Sequence, residues 1–322
     1  MARTIVGILR GGASSEYALS LKTGAAMLAA LPEEKYETRD IFVDKSGMWH
    51  LRGVPATPAR ALAQVDVVLN ALHGGAGEDG TVQRILDRTG VPYAGSRALS
   101  SGLSLHKIRA RELFQEKNIP MPRAISFSLE NDMNTNEMAQ AVFSQFAPPY
   151  VVKPASEGAS HGVRIAATII ELPDAIGDVL DAYAAALVEE YIHGEDVQVG
   201  IIGNFRGEDV YALPPVHVHK PEGARLIEPA HHEEGSLRYT VPSNFTHAEK
   251  QMIADIARAA HRALGLGHFS QASLRLTRHG PYLLEMDSIP GLYQGAALPP
   301  ALEAVGSSTR EFLEHAIRLA RE

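Results

Sequence analysis

Apolar runs alternate with amphipathic segments through the first hundred residues. Short apolar runs predict strands at Ile5–Leu9, Tyr36–Val43, Val65–Leu72 and Val91–Ala94. Apolar positions at helical spacing predict helices over Ser20–Leu31 and Thr81–Thr89, and Ala59–Leu62 is long enough for one helical turn. Because the strands alternate with helices, this part of the chain predicts a parallel sheet joined by right-handed crossovers.

The rest of the chain predicts a different arrangement, with more hairpins. A helix is expected over Leu105–Lys117 and ends before Pro120 and Pro122, which mark a natural boundary. Further predicted elements are antiparallel strands at Tyr150–Lys153 and Val163–Ala166, a helix running into a strand over Ala182–Tyr191, a hairpin of Val197–Gly203 and Asp209–Leu213, a helix over Thr246–Leu264, paired strands at Phe269–Leu276 and Pro281–Glu285, and a final helix over Ser308–Ala320. Residues 129–135 and 214–245 are expected to be loops. A connection as long as the second usually has a function of its own.

Composition narrows the class of protein. The 322 residues suffice for about two domains at roughly 150 residues each. The net charge of −8 and the lack of a basic block exclude the electrostatic footprint of a general nucleic-acid binder. The absence of cysteine excludes disulfides, thiol nucleophiles, iron–sulfur clusters and cysteine zinc sites. Because no signal peptide or membrane-spanning run is recognisable, we expect a cytoplasmic protein.

Two glycine-rich turns follow predicted strands. Gly11-Gly12 leads to Glu16, and the segment His73–Gly80 places four glycines in seven positions. Exposed backbone N–H groups in such turns suit an anion, and glycine lets a ligand approach the backbone closely. A plain structural turn is the alternative for the first segment, and a flexible loop is the alternative for the second.

A third segment joins a lysine to a loop of small residues. A predicted strand ends at Lys153, and the loop that follows runs to Val163. A lysine at the end of an apolar strand is costly unless it meets an anion, and a glycine loop between strands can fold over phosphates. A solvated lysine in a β-hairpin is the alternative.

A pair of carboxylates ends a later apolar strand. Glu285 and Asp287 alternate along this strand, so their side chains face the same side. Two carboxylates on one face provide the oxygen ligands that suit Mg²⁺. An isolated surface pair would carry no such meaning, but its position after an apolar run favours a site.

In their order along the chain, these segments resemble the D-alanine–D-alanine ligase family of ATP-grasp enzymes, from Ile5 to the final helix. The resemblance implies an α/β protein with the ATP-grasp fold and an N-terminal parallel-sheet α/β domain. It implies three domains, at 1–104, 105–187 and 188–322, with a lid loop at about 214–245 and ATP between the last two domains. It also implies a homodimer acting on small molecules, with no nucleic-acid or membrane partner.

The resemblance also assigns residues to roles. Glu16 would hold the first D-alanine, His73 matches the histidine of a His-Gly loop, and Arg275 would steady a tetrahedral oxyanion. Gly291 would join Glu16 and Arg275 in binding the amino-acid substrates. The residues implied for ATP are Lys107, Lys153, Glu157, Ser160, Glu189, Glu190, Tyr191, Ile192 and Asp196, the last for the ribose. Glu285 and Asp287 would hold Mg²⁺, with Mn²⁺ as an alternative.

Several positions depart from the family pattern. Ala159 stands where a loop serine is usual, Thr277 where a metal-binding aspartate is usual, and Ala296 where a serine receives the second D-alanine. The tyrosine of the lid loop has no clear match, and His231 is the nearest candidate. These departures indicate that ATP binding is better preserved than amino-acid selection.

The resemblance implies an ATP-dependent ligase that joins two D-alanines through an acylphosphate for peptidoglycan synthesis, and thus for cell wall biogenesis and cell shape. Two alternatives follow from the departures. One is a ligase of the same fold with a different amino-acid or hydroxy-acid substrate. The other is a nucleotide-binding paralogue with weak or no activity. A zinc site of the histidines at 217, 219, 231 and 232 is a further interpretation, which lacks a compact ligand set.

Overall fold

The computed structural model describes residues 3–322, within which the strands form three sheets. The first sheet consists of β1 (Thr4–Gly11), β2 (Tyr36–Val43), β3 (Trp49–Leu51), β4 (Val54–Ala56), β5 (Val67–Asn70) and β6 (Tyr93–Ala94). Its order is β4-β3-β2-β1-β5-β6, with β2, β1, β5 and β6 parallel and β3 and β4 forming an antiparallel edge. The predicted parallel sheet is therefore confirmed, with an unpredicted hairpin at one edge.

The helices of this first region are α1 (Tyr17–Ala30), α2 (Pro58–Leu62), α3 (Thr81–Thr89) and α4 (Ala98–Leu105), with a 3₁₀ turn at Gly75–Gly77. The buried hydroxyl of Ser20 accepts a hydrogen bond from the Gly11 N–H at 2.8 Å and donates one to the Ala71 carbonyl at 2.7 Å. These two bonds tie the end of β1 to the end of β5. The two glycine-rich turns therefore lie side by side at the carboxyl edge of the sheet, where ligands bind in open parallel sheets.

The second sheet is antiparallel and follows α5 (Lys107–Glu116). It consists of β7 (Ala124–Ser128), β8 (Tyr150–Pro154), β9 (Arg164–Ala166) and β10 (Ala185–Glu190), in the order β7-β10-β8-β9. Helices α6 (Thr135–Phe143) and α7 (Leu172–Tyr183) bury their apolar faces against it in one core. The strands β8 and β9 confirm the predicted pair that flanks the Lys153 loop.

The third sheet is also antiparallel. It consists of β11 (Glu195–Phe205), β12 (Glu208–Ala212), β13 (Val216–His219), β14 (Arg238–Thr240), β15 (Phe269–Thr277) and β16 (Gly280–Asp287). The order is β14-β13-β11-β15-β16, with β12 paired to β11. Helix α9 (His247–Ala263) begins with a capping box formed by Thr246 and Glu249, and it covers the sheet.

The chain ends with α10 (Leu298–Ala304) and α11 (Thr309–Arg321). Phe312 and Ile317 of α11 are buried in the same core as Val6 and Ile8 of β1. The last helix therefore packs on the first sheet, although the sequence groups it with the C-terminal segment. Apart from the position of this helix, the expected division into three domains stays a prediction.

Three sequence expectations need correction. The boundary expected between residues 187 and 188 falls inside β10, whose pairing with β7 and β8 carries the second sheet to Glu190. The helix expected over Leu105–Lys117 is α5, which begins only at Lys107, because His106 has extended backbone torsions that separate it from α4. The segment 214–245 is not a plain loop, since it contains β13, β14 and the helix α8 (Pro229–Glu234). No helix between residues 3 and 322 is long and apolar enough to cross a bilayer.

Candidate active site

The pairing of β15 with β16 brings polar side chains to one face. Ser273 lies opposite Glu285, and Gln271 lies opposite Asp287. Because residues two apart on a strand share a face, all four side chains point to the same side. This face meets the second glycine-rich turn of the first sheet, since Ile289 N–H donates to the buried Glu78 carboxylate at 3.1 Å.

Lysine and carboxylate side chains are coupled at the centre of the site. The Lys107 ammonium is 3.1 Å from the Glu285 carboxylate and donates to the Glu157 carbonyl at 2.7 Å. Burial works against charge on both groups, but their attraction outweighs it. The pKa of Lys107 is therefore raised, and the pKa of Glu285 is lowered by Lys107 with help from Lys153.

A second, largely buried lysine lies on β8. The Lys153 ammonium is 2.6 Å from one oxygen of Glu189, and Arg111 is 3.0 Å from the other oxygen. Glu189 is 2% exposed, so two cations surround one buried carboxylate. Glu189 on β10 therefore holds the predicted Lys153 at the cleft. Because two cations face one carboxylate, Lys153, Arg111 and Glu189 together keep a net charge of +1.

Two adjoining cavities open over this face. The larger, of about 760 Å³, is lined by Lys107, Lys153, Glu157, Ser160, Asp196 and apolar side chains that include Val151, Val163 and Leu274. The smaller, of about 560 Å³, is lined by Glu16, His73, Glu78, Gln271, Asp287, Gly291 and Tyr293. The walls shared by both are Ala159, Gln198, His232, Ser273 and Glu285. A phosphate group bound at this junction would be within reach of both cavities.

The loop between β8 and β9 closes over the first glycine turn. Ser15 donates a hydrogen bond to the Glu157 carboxylate at 2.8 Å. Ala159 and Ser160 have left-handed backbone torsions, with φ of 45° and 60°. A Cβ at Gly158 would lie 2.2 Å from Glu16 Oε1, so glycine is needed there for the loop to approach Glu16.

Glu16 presents a buried oxygen without a hydrogen-bond partner. Its Oε1 atom finds no donor in the described chain, and the side chain is 6% exposed at the wall of the smaller cavity. Burial raises the pKa of Glu16 to about 7, with Glu285 and Glu157 adding to the shift and Lys107 opposing it. Such an oxygen is suited to accept a hydrogen bond from a ligand donor.

His73 and Glu78 occupy the second glycine turn. His73 Nε2 lies 2.8 Å from the Thr23 hydroxyl, and burial lowers its pKa to about 4, so the ring is neutral near pH 7. Glu78 accepts from the Gly74 N–H at 3.2 Å, and burial raises its pKa well above the ordinary value. Glu78 is not among the residues that the sequence assigns to the site, although its position within the glycine turn is a usable signal.

Arg275 does not lie where the sequence places it. Its guanidinium is 2.8 Å from the Asp196 carboxylate, which Lys220 also contacts, and it lines only the larger cavity. It therefore does not join Glu16 and His73. Thr277 is likewise remote from Glu285, because its hydroxyl closes the β15–β16 turn on the Gly280 carbonyl. Gln271 and Ser273 are also two residues apart, and they are the residues of β15 that pair with Asp287 and Glu285.

The residues expected around adenine are only partly brought together. Glu189 lies beneath Lys153, but the Glu190 carboxylate is held by Arg123 at 2.7 Å. Tyr191 and Ile192 line a neighbouring open depression instead of the larger cavity, and the Tyr191 hydroxyl donates to the Arg225 carbonyl.

The lid helix α8 brings His232 into the site, whereas the sequence favoured His231. His231 Nδ1 accepts from the Glu228 N–H, which caps the helix. His232 lines both cavities, and its Nδ1 lies 3.5 Å from the Tyr293 hydroxyl. His217 and His219 instead contact Glu195 and Thr240. The four histidines of the zinc interpretation therefore have separate partners.

Glu285 and Asp287 fit a divalent cation by their chemistry. Burial raises the pKa of Asp287 well above its ordinary value, and the nearby carboxylates of Glu285 and Glu16 raise it further. Buried carboxylates that repel one another are stabilised by a cation. No cluster of three or more His, Asp or Glu side chains between residues 3 and 322 is arranged to hold a metal ion. Phosphate and water oxygens would have to complete the coordination.

Comparisons with known proteins agree with this arrangement. A family model described as the D-ala D-ala ligase C-terminus matches residues 113–318, and one described as the D-ala D-ala ligase N-terminus matches residues 52–96. The chain is 31% identical over 321 residues to a D-alanine--D-alanine ligase of Desulforudis audaxviator, covering 98% of both chains. It is 32% identical over 314 residues to that of Geobacter sulfurreducens, covering 97% of this chain and 92% of the relative. A solved structure of D-alanine--D-alanine ligase from Bacillus anthracis complexed with ATP has a TM-score of 0.79 at 27% identity, covering 98% of this chain and 97% of that one.

Proposed function

Because the chain belongs to the D-alanine–D-alanine ligase family and has its ATP-grasp fold, we propose that it is an ADP-forming carboxylate–amine ligase that joins two D-alanines for peptidoglycan precursor synthesis. One observation carries the proposal. Two cavities meet at Glu285 and Ser273, with lysines on one side and the partnerless oxygen of Glu16 on the other. Such a junction suits phosphoryl transfer from a nucleotide to an amino-acid carboxylate.

The first substrate is positioned by Glu16 in this proposal. The ammonium group of D-alanine donates a hydrogen bond to Glu16 Oε1, which has no other partner. The carboxylate of the same molecule then lies toward the junction and Lys107. One of its oxygens attacks the γ-phosphorus of ATP, ADP leaves, and an acylphosphate is formed.

Lys107 and Lys153 offset the charge of this step. Both side chains are largely buried at the cleft, and each lies next to a carboxylate, at 3.1 Å and 2.6 Å respectively. Fixed cations favour a transition state that is stabilised mainly by positioning and charge. Glu285 and Asp287 would hold Mg²⁺, with Mn²⁺ as a substitute, and the bound ion would neutralise charge on the phosphoryl oxygens.

In the second step, the amine nitrogen of the second D-alanine attacks the acyl carbon. The amine loses a proton, phosphate leaves, and the peptide bond remains. Gly291 lines the smaller cavity, and its N–H has no acceptor in the described chain. We assign the oxyanion contact to this N–H, because Arg275 is bound to Asp196. The site roles of His73 and Ser160 as ligand-contacting residues remain part of the proposal.

Product-resolved ligation tests the function. The protein is incubated with ATP, Mg²⁺ and D-alanine, and both ADP and the dipeptide are measured by mass spectrometry. Dipeptide formed in equal amount to ADP supports the proposal. ADP without dipeptide indicates another acceptor. Absence of both products while ATP still binds contradicts ligase activity and favours a nucleotide-binding paralogue.

Assembly and location are parts of the same proposal. We infer that the enzyme acts as a homodimer in the cytoplasm, as the family resemblance implies. Light scattering coupled to size-exclusion chromatography would give about twice the 34.7 kDa chain mass for a dimer. A mass equal to one chain across the working concentration range would contradict that part.

A second candidate is ligation of D-alanine to a different amine. Ala296 is buried in an apolar cluster with Leu19 and Tyr293, and Ala159 packs against this cluster. Neither alanine offers a hydrogen-bonding side chain to the far end of an acceptor. This observation favours a pocket that does not require a hydrogen-bonding group at that end of the acceptor.

A further inference from the structure

The smaller cavity offers an acyl oxygen neutral donors and no fixed basic side chain other than histidine. Among the described side chains that line it, none is lysine or arginine. His73 Nε2 lies 2.8 Å from the Thr23 hydroxyl, and His232 Nδ1 lies 3.5 Å from the Tyr293 hydroxyl. Because Arg275 lines only the larger cavity, negative charge on an acyl oxygen has to be met by other groups.

Gln271 presents such a group. It lies on β15 opposite Asp287, and it lines the smaller cavity but not the larger one. The residue is 8% exposed, and its side-chain amide makes no hydrogen bond within the part of the chain that the structure describes. The amide carries two N–H donors, and a largely buried amide without a partner in the protein is suited to bind a ligand.

The other two uncharged polar side chains of this wall lie at the junction. Gln198 of β11 pairs with Ser273 of β15, and both line the two cavities. In the proposed reaction, a side chain that borders both cavities is beside the phosphoryl group in transit. A side chain that borders only the smaller cavity is beside the amino acids. The cavities therefore separate Gln271 from Gln198 and Ser273 and assign it to acyl transfer.

We propose that the side-chain amide of Gln271 donates to the acyl oxygen while the peptide bond forms, together with the Gly291 N–H of the same cavity. The inference rests on the proposed ligase function and names a further catalytic residue for it. When the amine nitrogen attacks the acyl carbon, an electron pair of the C=O bond moves onto the oxygen, where both donors stabilise it. The pair returns as the C–O bond to phosphate breaks, and the amine proton is released to solvent.

The two half-reactions distinguish this role from a merely structural one. Gln271→Met keeps the length of the side chain and removes its donors. In rapid-quench experiments with saturating ATP, Mg²⁺ and D-alanine, we expect dipeptide formation to slow by about 10²-fold or more, the range for loss of one oxyanion donor. The first turnover of ADP should keep its wild-type rate, because no oxyanion forms at the acyl carbon in that step. ADP should therefore appear as a burst before the dipeptide.

Two further variants complete the experiment. Gln271→Arg returns a donor to the position and should recover part of the dipeptide rate. Gln251→Met, on the exposed surface of α9, is the matched control and should leave both rates unchanged. Gln271→Leu is the second variant without a donor if Gln271→Met does not fold. An equal loss of ADP and dipeptide in the folded variants, or an unchanged dipeptide rate, overturns the inference.

The cation is the competing assignment, because Gln271 lies opposite Asp287 and an amide oxygen is also a Mg²⁺ ligand. Mg²⁺ titration of the first turnover of ADP separates the two roles. We expect the Mg²⁺ concentration that gives the half-maximal rate to be the same in Gln271→Met and the wild type. A rise of tenfold or more would assign Gln271 to the cation and overturn the inference.

The wild-type protein separates failure of this inference from failure of the function on which it rests. If it forms dipeptide and ADP in equal amounts while the variants give an overturning result, the ligase function stands and the role of Gln271 does not. If the wild type forms neither product, both proposals are defeated. A burst of ADP confined to the variants without a donor supports both.

Discussion

The guanidinium of Arg275 lies 2.8 Å from the carboxylate of Asp196, and both side chains are less than a tenth exposed. The pair joins β15 to β11 at the wall of the larger cavity. Arg275 therefore lines the cavity that we propose for the nucleotide. Because Arg275 is held there, we propose the Gly291 N–H for the oxyanion contact in the smaller cavity.

Breaking this pair is expected to cost stability. Arg275→Met leaves Asp196 buried with Lys220 as its remaining partner, and we expect the free energy of unfolding to fall by about 3 kcal/mol. Arg275→Met combined with Asp196→Asn removes both charges, so the double variant should be more stable than the single one. Urea unfolding of the wild type, Arg275→Met, Asp196→Asn and the double variant measures the coupling, and strictly additive effects would contradict a buried ion pair.

Much of the fold follows from the sequence because its signals are local. Buried parallel strands read as continuous apolar runs, and α9 carries both an apolar face and a capping box. The turns that follow β1 and β5 were also recognisable from their glycines. The prediction that Glu285 and Asp287 share one face required only the two-residue repeat of a strand.

The side chains opposite those carboxylates could not be predicted in the same way. The register between β15 and β16 shifts between Ser273 and Leu274, where β16 contains an extra residue, Leu284. A bulge of this kind changes which partner residues face the site, and no local pattern marks it. The family resemblance therefore pointed to Arg275 and Thr277, whereas the strand pairing brings Gln271 and Ser273 opposite the two carboxylates.

The lid shows a second limit of local reasoning. Residues 214–245 have little periodicity because α8 is one short helix between two short strands. Which of two adjacent histidines enters the site depends on the phase of that helix. His231 caps its own helix and His232 reaches the cavities, a distinction fixed only by packing.

Lys153 provides a direct test of the nucleotide cleft. In Lys153→Ala, Glu189 keeps Arg111 as a partner, so the fold is retained while a cation of the cleft is lost. We expect kcat/KM for ATP to fall by at least about 10²-fold, the range found when one fixed transition-state contact is removed. Lys35→Ala, which removes an exposed pair with Glu314, is the control. Wild-type turnover in Lys153→Ala would rule out the nucleotide site proposed here.

The raised pKa of Glu16 predicts a pH dependence of donor binding. The carboxylate must be ionised to pair with the ammonium of D-alanine, and burial raises its pKa to about 7. The KM for the donor should therefore fall as pH rises toward about 7 and become constant above it. Glu16→Gln should bind D-alanine weakly with no such step, whereas the control Glu37→Gln, at a partly exposed carboxylate far from the cavity, should retain it. A donor KM that is constant from pH 6 to pH 8 in the wild type would contradict this role.

Asp287 provides a test for the cation that does not depend on turnover. Its side chain is partly buried near Glu285 and Glu16, and burial raises its pKa, with a further rise from the charges of these two carboxylates. Asp287→Ala should raise the melting temperature of the metal-free protein and abolish the further rise on adding Mg²⁺ with ADP. Asp287→Asn should restore part of that rise, because an amide oxygen is also a Mg²⁺ ligand. An undiminished Mg²⁺ effect in Asp287→Ala would place the cation elsewhere.

His261 predicts acid sensitivity of the fold independently of the active site. The side chain is 4% exposed, its Nδ1 lies 2.8 Å from the Ser270 hydroxyl, and burial lowers its pKa to about 4, against 6.5 for an exposed histidine. Between these values the unfolded chain binds the proton and the folded chain does not, so stability is lost as pH falls from about 6.5 toward 4. From pH 7 to pH 5, this residue should contribute a loss of about 2 kcal/mol in the free energy of unfolding. His261→Asn cannot titrate, so urea unfolding at the two pH values should show a smaller loss than in the wild type. An equal loss would assign the acid sensitivity to other groups, of which buried His73 is the first to replace in the same assay.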